Sequence, residues 1–373
     1  MNILFIAPYR QSDGWSEAAR AYAKALATTG HNITLRPIYM ASNQIDLQDE
    51  LLLNLEKNKR NHYDIIIQKV LPHLVDPVTP NAKTINLCVF ETANLQSTPW
   101  IYYINLVDEL WTTSSIEKKN IINSGVTIPV QYINQPVDIS MYEQQYDTSH
   151  WHQFGFNDNF VFYFIGEYIP RKNLKALATA FHREFRPSEP VELVIKTNRM
   201  GLNIHQLTSQ IDQDFSKIQS DLKLYQDGKT YKSEWVIAEF IPLERLNALH
   251  QVCDCFIMPS YGESMCRPML DALGFGNPVI VTDNTGMCDY VTPDVGRIVD
   301  SRTEPVYSSD HPLPYLYTGW ETWQSIDILS LQKSMREIYE LNGLQKAQIK
   351  SRCKEHIKQF SYEKVGQRIN RLL

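Results

Sequence analysis

Pro259-Ser260-Tyr261-Gly262-Glu263-Ser264-Met265-Cys266-Arg267-Pro268-Met269-Leu270-Asp271-Ala272 is the stretch on which the reading of this chain turns. The apolar run Cys255-Phe256-Ile257-Met258 stops at Pro259, and a short loop carrying Glu263 follows. Pro268 suits the first turn of a helix, where its missing N–H is not needed. Gly274 and Gly276 punctuate the end of that helix. A strand, a loop and a helix N-terminus together make a natural anion and sugar site, because several backbone N–H groups point into the loop. Glu263 and Asp271 are eight positions apart. If most of that span is helical they lie on the order of 12 Å apart along the axis. That exceeds the roughly 5–9 Å of a glycosidase carboxylate pair and suits the two ends of an elongated ligand such as a nucleotide-sugar. Read blandly, the same stretch is an ordinary strand, loop and helix with two solvated acids.

The chain has 373 residues, 43% of them hydrophobic and 21% charged, which predicts two domains, each with its own core. The formal net charge of -6 disfavours a general nucleic-acid binder. The C-terminal end is different: Lys346, Lys350, Arg352, Lys354, Lys358, Lys364, Arg368 and Arg371 face only Glu355 and Glu363, a net +6. This reads as a solvated helical face, or as a weak peripheral contact with an anionic membrane. No apolar stretch approaches the ~20 residues of a membrane span, and Met1–Ala7 lacks the basic n-region and the long apolar h-region of a signal peptide. The six cysteines form no C-x-x-C pair, so the expected setting is reducing and cytoplasmic, with a peripheral position at the inner membrane face as the alternative.

Outward from the opening stretch, short apolar runs alternate with helical patterns. Strands are expected at 2–8, 32–35, 64–67, 84–90, 109–112 and 130–133, with a helix from Ser16 to Ala27 after a polar loop that contains Gly14. The pattern restarts at 160–166, followed by strands at 191–196, 235–240, 255–258 and 278–282. Such alternation argues for doubly wound α/β domains. The boundary is expected in the polar stretch 138–158, residues 198–234 as a long polar helical insertion, and 301–325 as an extended loop. Two such domains make a cleft at the carboxyl ends of their strands.

The opening stretch resembles the E-G-F-G-x-x-x-x-E-A signature of retaining glycosyltransferases of family 4, which have the GT-B fold. Gly166-Glu167-Tyr168-Ile169-Pro170-Arg171-Lys172-Asn173 resembles that family's G-R-x-x-x-x-K-G element. Asp108-Glu109-Leu110-Trp111 with Ser114-Ser115, and Gln135-Pro136-Val137-Asp138, resemble two largely architectural segments. The resemblance implies two Rossmann-like domains facing across a cleft: 1–150 for the acceptor, completed by the last helix 357–373, and 151–356 for the donor. It implies that Glu263, with Ser264, Met265 and Cys266, faces the donor sugar, that Arg267 belongs to the same donor-binding stretch and that Asp271 holds the ribose. Lys172 matches the family lysine. Glu167 stands where the family has arginine, and Arg171 is the candidate to supply the missing charge. Ser264 and Cys266 replace the two loop glycines. Gly14 resembles the family's glycine loop, which implies a donor-binding role with its backbone close to the donor phosphate; it is not part of a G-x-G-x-x-G fingerprint, so a nicotinamide site is not supported. Trp15 and Glu91 are candidates to line the cleft and meet the acceptor.

The reading that follows is a retaining glycosyltransferase. It moves a sugar from a UDP- or GDP-sugar to a glycan, a lipid-linked or another hydroxyl acceptor, with no cofactor and no metal. Glu263, Arg171 and Lys172 are its catalytic candidates. Competing readings are a nucleotide-sugar epimerase or another non-transferase on the same scaffold, and a non-catalytic partner subunit.

Overall fold

The run Ile3-Leu4-Phe5-Ile6-Ala7 offers no polar face, and it forms strand β1 (Asn2–Ala7) in the interior of a parallel sheet, where both faces are covered. The computed structural model describes residues 1–40, 43–77, 81–95, 98–152, 159–225, 230–306 and 318–373. From β1 the chain runs through α1 (Gly14–Ala27), β2 (Asn32–Pro37), α2 (Glu50–Lys57), β3 (Ile65–Gln68), β4 (Lys83–Leu87), α3 (Trp100–Ile104), β5 (Glu109–Thr112), α4 (Ser115–Asn123) and β6 (Val130–Tyr132). The strand order is β2-β1-β3-β4-β5-β6, every neighbouring pair parallel. The winding reverses between β1 and β3, so the loops leaving those two strands frame the switch point of this sheet.

The second series starts with α5 (Ile139–Glu143) and α6 (Ser149–His152) and continues through β7 (Phe160–Glu167), α7 (Leu174–Glu184), β8 (Val191–Asn198), α8 (Ile204–Leu222), β9 (Trp235–Ile237) and α9 (Leu243–Val252). It ends with β10 (Cys255–Met258), α10 (Arg267–Phe275), β11 (Val279–Thr282) and β12 (Gly296–Val299). This sheet has the order β12-β11-β10-β7-β8-β9, again parallel, with its switch point between β7 and β10. β13 (Ser301–Pro305) and β14 (Thr322–Ile326) pair as a separate ribbon, and α11 (Ile328–Tyr339), α12 (Gly343–His356) and α13 (Tyr362–Leu372) close the chain. Two compact units result. One comprises Met1–Ile139, His311–Thr322 and Lys358–Leu373, and the other Ser140–Asp310 and Trp323–Ile357.

Helix α13 belongs to the first unit because its apolar stripe is buried there: Val365 and Ile369 join the core cluster that contains Ile3, Phe5, Tyr22 and Leu26. Burying each aliphatic side chain contributes roughly 1.5–3 kcal/mol. Gly366 permits the contact, since a Cβ there would stand 2.0 Å from Thr28 Oγ1 and 2.7 Å from the Ala25 carbonyl oxygen.

Three expectations need correction. Helix α1 begins at Gly14 rather than Ser16, because Asp13 caps it by accepting from the Ser16 N–H at 2.8 Å. The expected insertion 198–234 contains α8, an ordinary crossover helix with a buried stripe of Leu207, Ile211, Phe215 and Ile218; residues 226–229 of that stretch lie outside the described residues. The expected loop 301–325 holds the β13–β14 ribbon, with 307–317 outside the described residues. Its Pro, Ser and Tyr content masked two short strands. Within the boundary stretch 138–158, residues 153–158 also lie outside the described residues.

Candidate functional site

The sequence-predicted donor residues meet at the switch point of the second sheet. Arg171 and Lys172 follow β7, and Glu263 follows β10, the strand beside it. The two loops are tied together through one carbonyl. The Tyr261 N–H donates to the Arg171 carbonyl at 2.9 Å, and Ser260 Oγ donates to the same oxygen at 2.9 Å. The Gly286 N–H holds the other side of the loop by donating to the Glu263 carbonyl at 2.8 Å. That approach leaves no room for a side chain: a Cβ on Gly286 would stand 1.9 Å from the Ser264 carbonyl oxygen. Above the loop, Tyr261 stacks on Trp323 of β14, with centroids 4.6 Å apart and planes 13° from parallel. The ribbon thus braces the loop.

Lys172 Nζ donates to Glu263 Oε1 at 2.6 Å and an Arg171 guanidinium N–H donates to the same oxygen at 2.7 Å. Glu263 is 8% exposed. Burial alone raises its carboxyl pKa, but the Lys172 and Arg171 charges outweigh burial and hold it at about 2. Glu263 is therefore an anion at any physiological pH. The same Arg171 guanidinium also donates to the Gly262 carbonyl at 2.5 Å, which ties it to the loop, while Lys172 carries three donors on a single ammonium. Asn173, next in the chain, adopts φ +54° and ψ 41° at the start of α7, the left-handed geometry that the final glycine of the family element would take without strain.

Cys266 stands in place of a loop glycine and keeps a glycine-like backbone, φ +67° and ψ 90°. That conformation costs on the order of 1–2 kcal/mol for a non-glycine residue. Cys266 is buried, and burial pushes its thiol up to about 12. A thiol held protonated is no nucleophile. Helix α10 starts at Arg267, so its N-terminal amides and the positive end of its dipole face the loop of Ser264, Met265 and Cys266.

Asp271 sits one turn further on, 7% exposed, with its carboxylate already engaged. Arg267 Nε donates to its Oδ1 at 2.9 Å and Oδ2 at 3.2 Å, and Tyr142 Oη donates to Oδ1 at 2.8 Å. Gly274 makes room for Tyr142, whose ring would lie 2.4 Å from a Cβ at that position. Sequence reasoning missed Tyr142, Ser260 and Gly286. Only the close approach at Gly286 had a local signal, a glycine inside an otherwise ordinary turn.

The remaining candidates lie in the first unit. Gly14 and Trp15 open α1 after β1, and a Cβ on Gly14 would meet open space. Glu91 is half-buried beyond the end of β4. Buried Glu117, which sequence reasoning also missed, fixes that region by accepting from the Phe90 N–H at 2.6 Å and the Thr113 N–H at 3.1 Å. Asp108 accepts from the Thr84 N–H at 2.7 Å, and Glu109 pairs with Lys83 at 2.6 Å, so both clamp neighbouring strands. No group of three His, Cys, Asp or Glu side chains suited to a metal occurs among the described residues. Among the same residues no helix is long and apolar enough to cross a membrane. Several C-terminal cations are engaged: Arg352 pairs with Asp294 at 2.7 Å, Arg368 donates to Asn134 Oδ1 at 2.7 Å, and Lys346 lies 4.7 Å above the Phe160 ring.

Residues 147–306 match the family model of glycosyl transferases group 1. No curated protein sequence matches the chain significantly. Among solved structures, HepE of Anabaena in complex with UDP and glucose is 15% identical, with a TM-score of 0.68, covering 100% of this chain and 99% of its own. Sucrose-phosphate synthase of Thermosynechococcus elongatus is 14% identical, with a TM-score of 0.64 and coverage of 100% and 98%. A trehalose-6-phosphate protein of E. coli bound with UDP-2-fluoro glucose is 8% identical, with a TM-score of 0.67 and coverage of 99% and 98%. These likenesses give the chain the GT-B fold, two Rossmann-like α/β domains with parallel six-stranded sheets.

Proposed function

We propose that this chain is a retaining glycosyltransferase that moves a sugar from a UDP-sugar to a hydroxyl acceptor. The observation that carries the reading is the convergence of Arg171, Lys172 and the buried Glu263 carboxylate at the second switch point, beside the N-terminus of α10. The match of residues 147–306 to glycosyl transferases group 1 supports transfer. UDP and UDP-glucose in HepE favour UDP over GDP.

In this reading the diphosphate lies against Arg171 and Lys172, whose donors stabilise the charge that grows as the glycosidic oxygen leaves. The two cations and the α10 amides meet its oxygens. Glu263 takes sugar hydroxyls and keeps the cation pair from being overcharged. Asp271, oriented by Arg267 and Tyr142, is the ribose acid. No protein nucleophile is needed: Glu263 is committed to two cations and Cys266 is protonated. The leaving phosphate then accepts the proton of the incoming hydroxyl on the same face of the sugar, and the anomeric configuration is kept.

Incubation with UDP-glucose and a panel of hydroxyl acceptors, followed by proton NMR of the anomeric signal, tests this. An acceptor-dependent α-glucoside with release of UDP is expected. A β product overturns retention, an epimerised donor without acceptor identifies an epimerase, and binding without any turnover identifies a non-catalytic partner.

A further inference from the structure

The first sheet has a switch point too, and it carries a charge that the donor site does not use. Lys69 follows β3 immediately, and its N–H donates to the Ile6 carbonyl of β1 at 2.8 Å. The residue is 2% exposed. Its ammonium lies 4.2 Å above the ring of Trp15, which stands in the first turn of α1 after β1. Among the described residues it has no ion pair and no hydrogen-bond acceptor. The nearby carboxylate of Asp13 is committed elsewhere: it accepts from the Ser16 N–H and hydroxyl, each at 2.8 Å, and from Asn43 Nδ2 at 3.3 Å.

The backbone that presents Lys69 is held on both sides. Buried Asn86 Nδ2 donates to the Gln68 and Val70 carbonyls, each at 3.0 Å. The Gln68 amide in turn grips Asp76, donating to its carbonyl at 2.6 Å and accepting from its N–H at 3.0 Å. A flexible lysine has thus been given a fixed root. Burial lowers its pKa to about 8, against the raising influence of Cys88 and Asp13, so the group is still mainly an ammonium at pH 7. An apolar side chain of equal length would avoid the desolvation of an unpaired charge, which is costly. The contact with Trp15 offsets only part of that cost. An unmatched buried cation on a rigid mount, at the place where open α/β sheets bind ligands, is what an anionic ligand would complete. The amides of the first turn of α1 add to the same positive field.

We propose that Lys69 and Trp15 form an acceptor subsite in the first unit that takes a pyranoside bearing an anionic group, a carboxylate or a phosphate. The indole, only partly buried, supplies the apolar surface for the sugar ring, and the ammonium pairs with the anion. This deepens the transferase reading and rests on it for the saccharide nature of the ligand.

Calorimetry at pH 7 on the full chain tests it with three probes: methyl α-glucoside, methyl α-glucuronide and glucose 6-phosphate. The wild type should bind at least one anionic probe about ten- to a hundredfold more tightly than the neutral one. The glucuronide and phosphate arms tell which anion is preferred. Lys69→Met should abolish the preference and Lys69→Arg should retain most of it. UDP-glucose, titrated in parallel, should bind all three proteins alike. No binding of any probe by the wild type, no preference for an anion, or a preference that survives Lys69→Met overturns the subsite. An anionic preference without UDP-glucose binding leaves the subsite standing and removes the transferase reading. If Lys69→Met does not fold, the wild-type preference and its retention in Lys69→Arg, set against a preference lost in Lys69→Gln, decide the matter.

Discussion

Glu263→Gln keeps the size of the side chain and removes the charge that Lys172 and Arg171 share. Two quantities set the cost. A carboxyl held at about 2 instead of 4.5 reflects about 3 kcal/mol of preferential stabilisation of the anion. Breaking one side of a buried ion pair costs roughly 3–5 kcal/mol, because the partner charges stay buried without a counterion. The two agree on a loss of about 3 kcal/mol at neutral pH. In a unit of this size 1 kcal/mol moves the melting temperature by roughly 2–4 °C, so the second unit should melt about 6–12 °C lower. The pH dependence has a definite sign. A depressed folded pKa contributes stability that is complete above pH 4.5 and is lost as pH falls toward 2. The gap between wild type and variant should therefore be full at pH 7 and close as pH falls below 4.5. Differential scanning calorimetry from pH 3 to pH 7 reads both effects. UDP should restore much of the loss, because it brings negative charge to the two freed cations. Equal melting at pH 7, or a gap that does not narrow in acid, refutes the ion-pair account of this site.

Other variants probe the same site from different sides. Gly286→Ala places a Cβ 1.9 Å from the Ser264 carbonyl oxygen, so the Glu263 loop must shift, and calorimetry should show UDP-glucose affinity reduced more than about tenfold. Asp271→Asn should raise the KM for the donor more than it lowers kcat, since a ribose contact is alike in ground and transition states; steady-state kinetics with the opposite split would move Asp271 to the reacting centre. Tyr142→Phe removes one hydrogen bond from Asp271 and leaves Arg267, so stability should fall by about 1 kcal/mol in a denaturant titration, with a smaller effect on KM than Asp271→Asn.

The strands were legible wherever both faces are buried. Cys255–Met258 is an unbroken apolar run with a proline stop, and Phe160–Glu167 and Asn2–Ala7 carry the same signal. Helix α10 was legible from its proline and glycine punctuation. The β13–β14 ribbon was not, because short edge strands with Pro and Ser read as loop, and its role in bracing Tyr261 depends on Trp323, more than sixty positions away in sequence. Within 198–234 the helix was legible but its place as a buried crossover was not, because the stripe Leu207, Ile211, Phe215 and Ile218 is diluted by polar residues on the other face of α8. At the site, the individual charges could be named from sequence, but not their pairing. That Arg171 and Lys172 both reach Glu263 follows from β7 and β10 being neighbours, a fact of topology. Lys69 gave no signal at all. Its importance lies in burial and in the lack of a counterion, and neither can be read from a lysine after an apolar run.

In the proposed reading Arg171 and Lys172 hold the diphosphate while Glu263 holds the sugar. Calorimetric titration of UDP and UDP-glucose into the wild type, Arg171→Ala, Lys172→Ala and Glu263→Gln separates these roles. Each cation loss should weaken both ligands about ten- to a hundredfold. Glu263→Gln should bind UDP at least as tightly as the wild type and lose affinity only for the sugar conjugate. Ligands bound equally by the wild type and both cation variants, or a Glu263→Gln protein that binds UDP-glucose as well as the wild type does, would contradict the account.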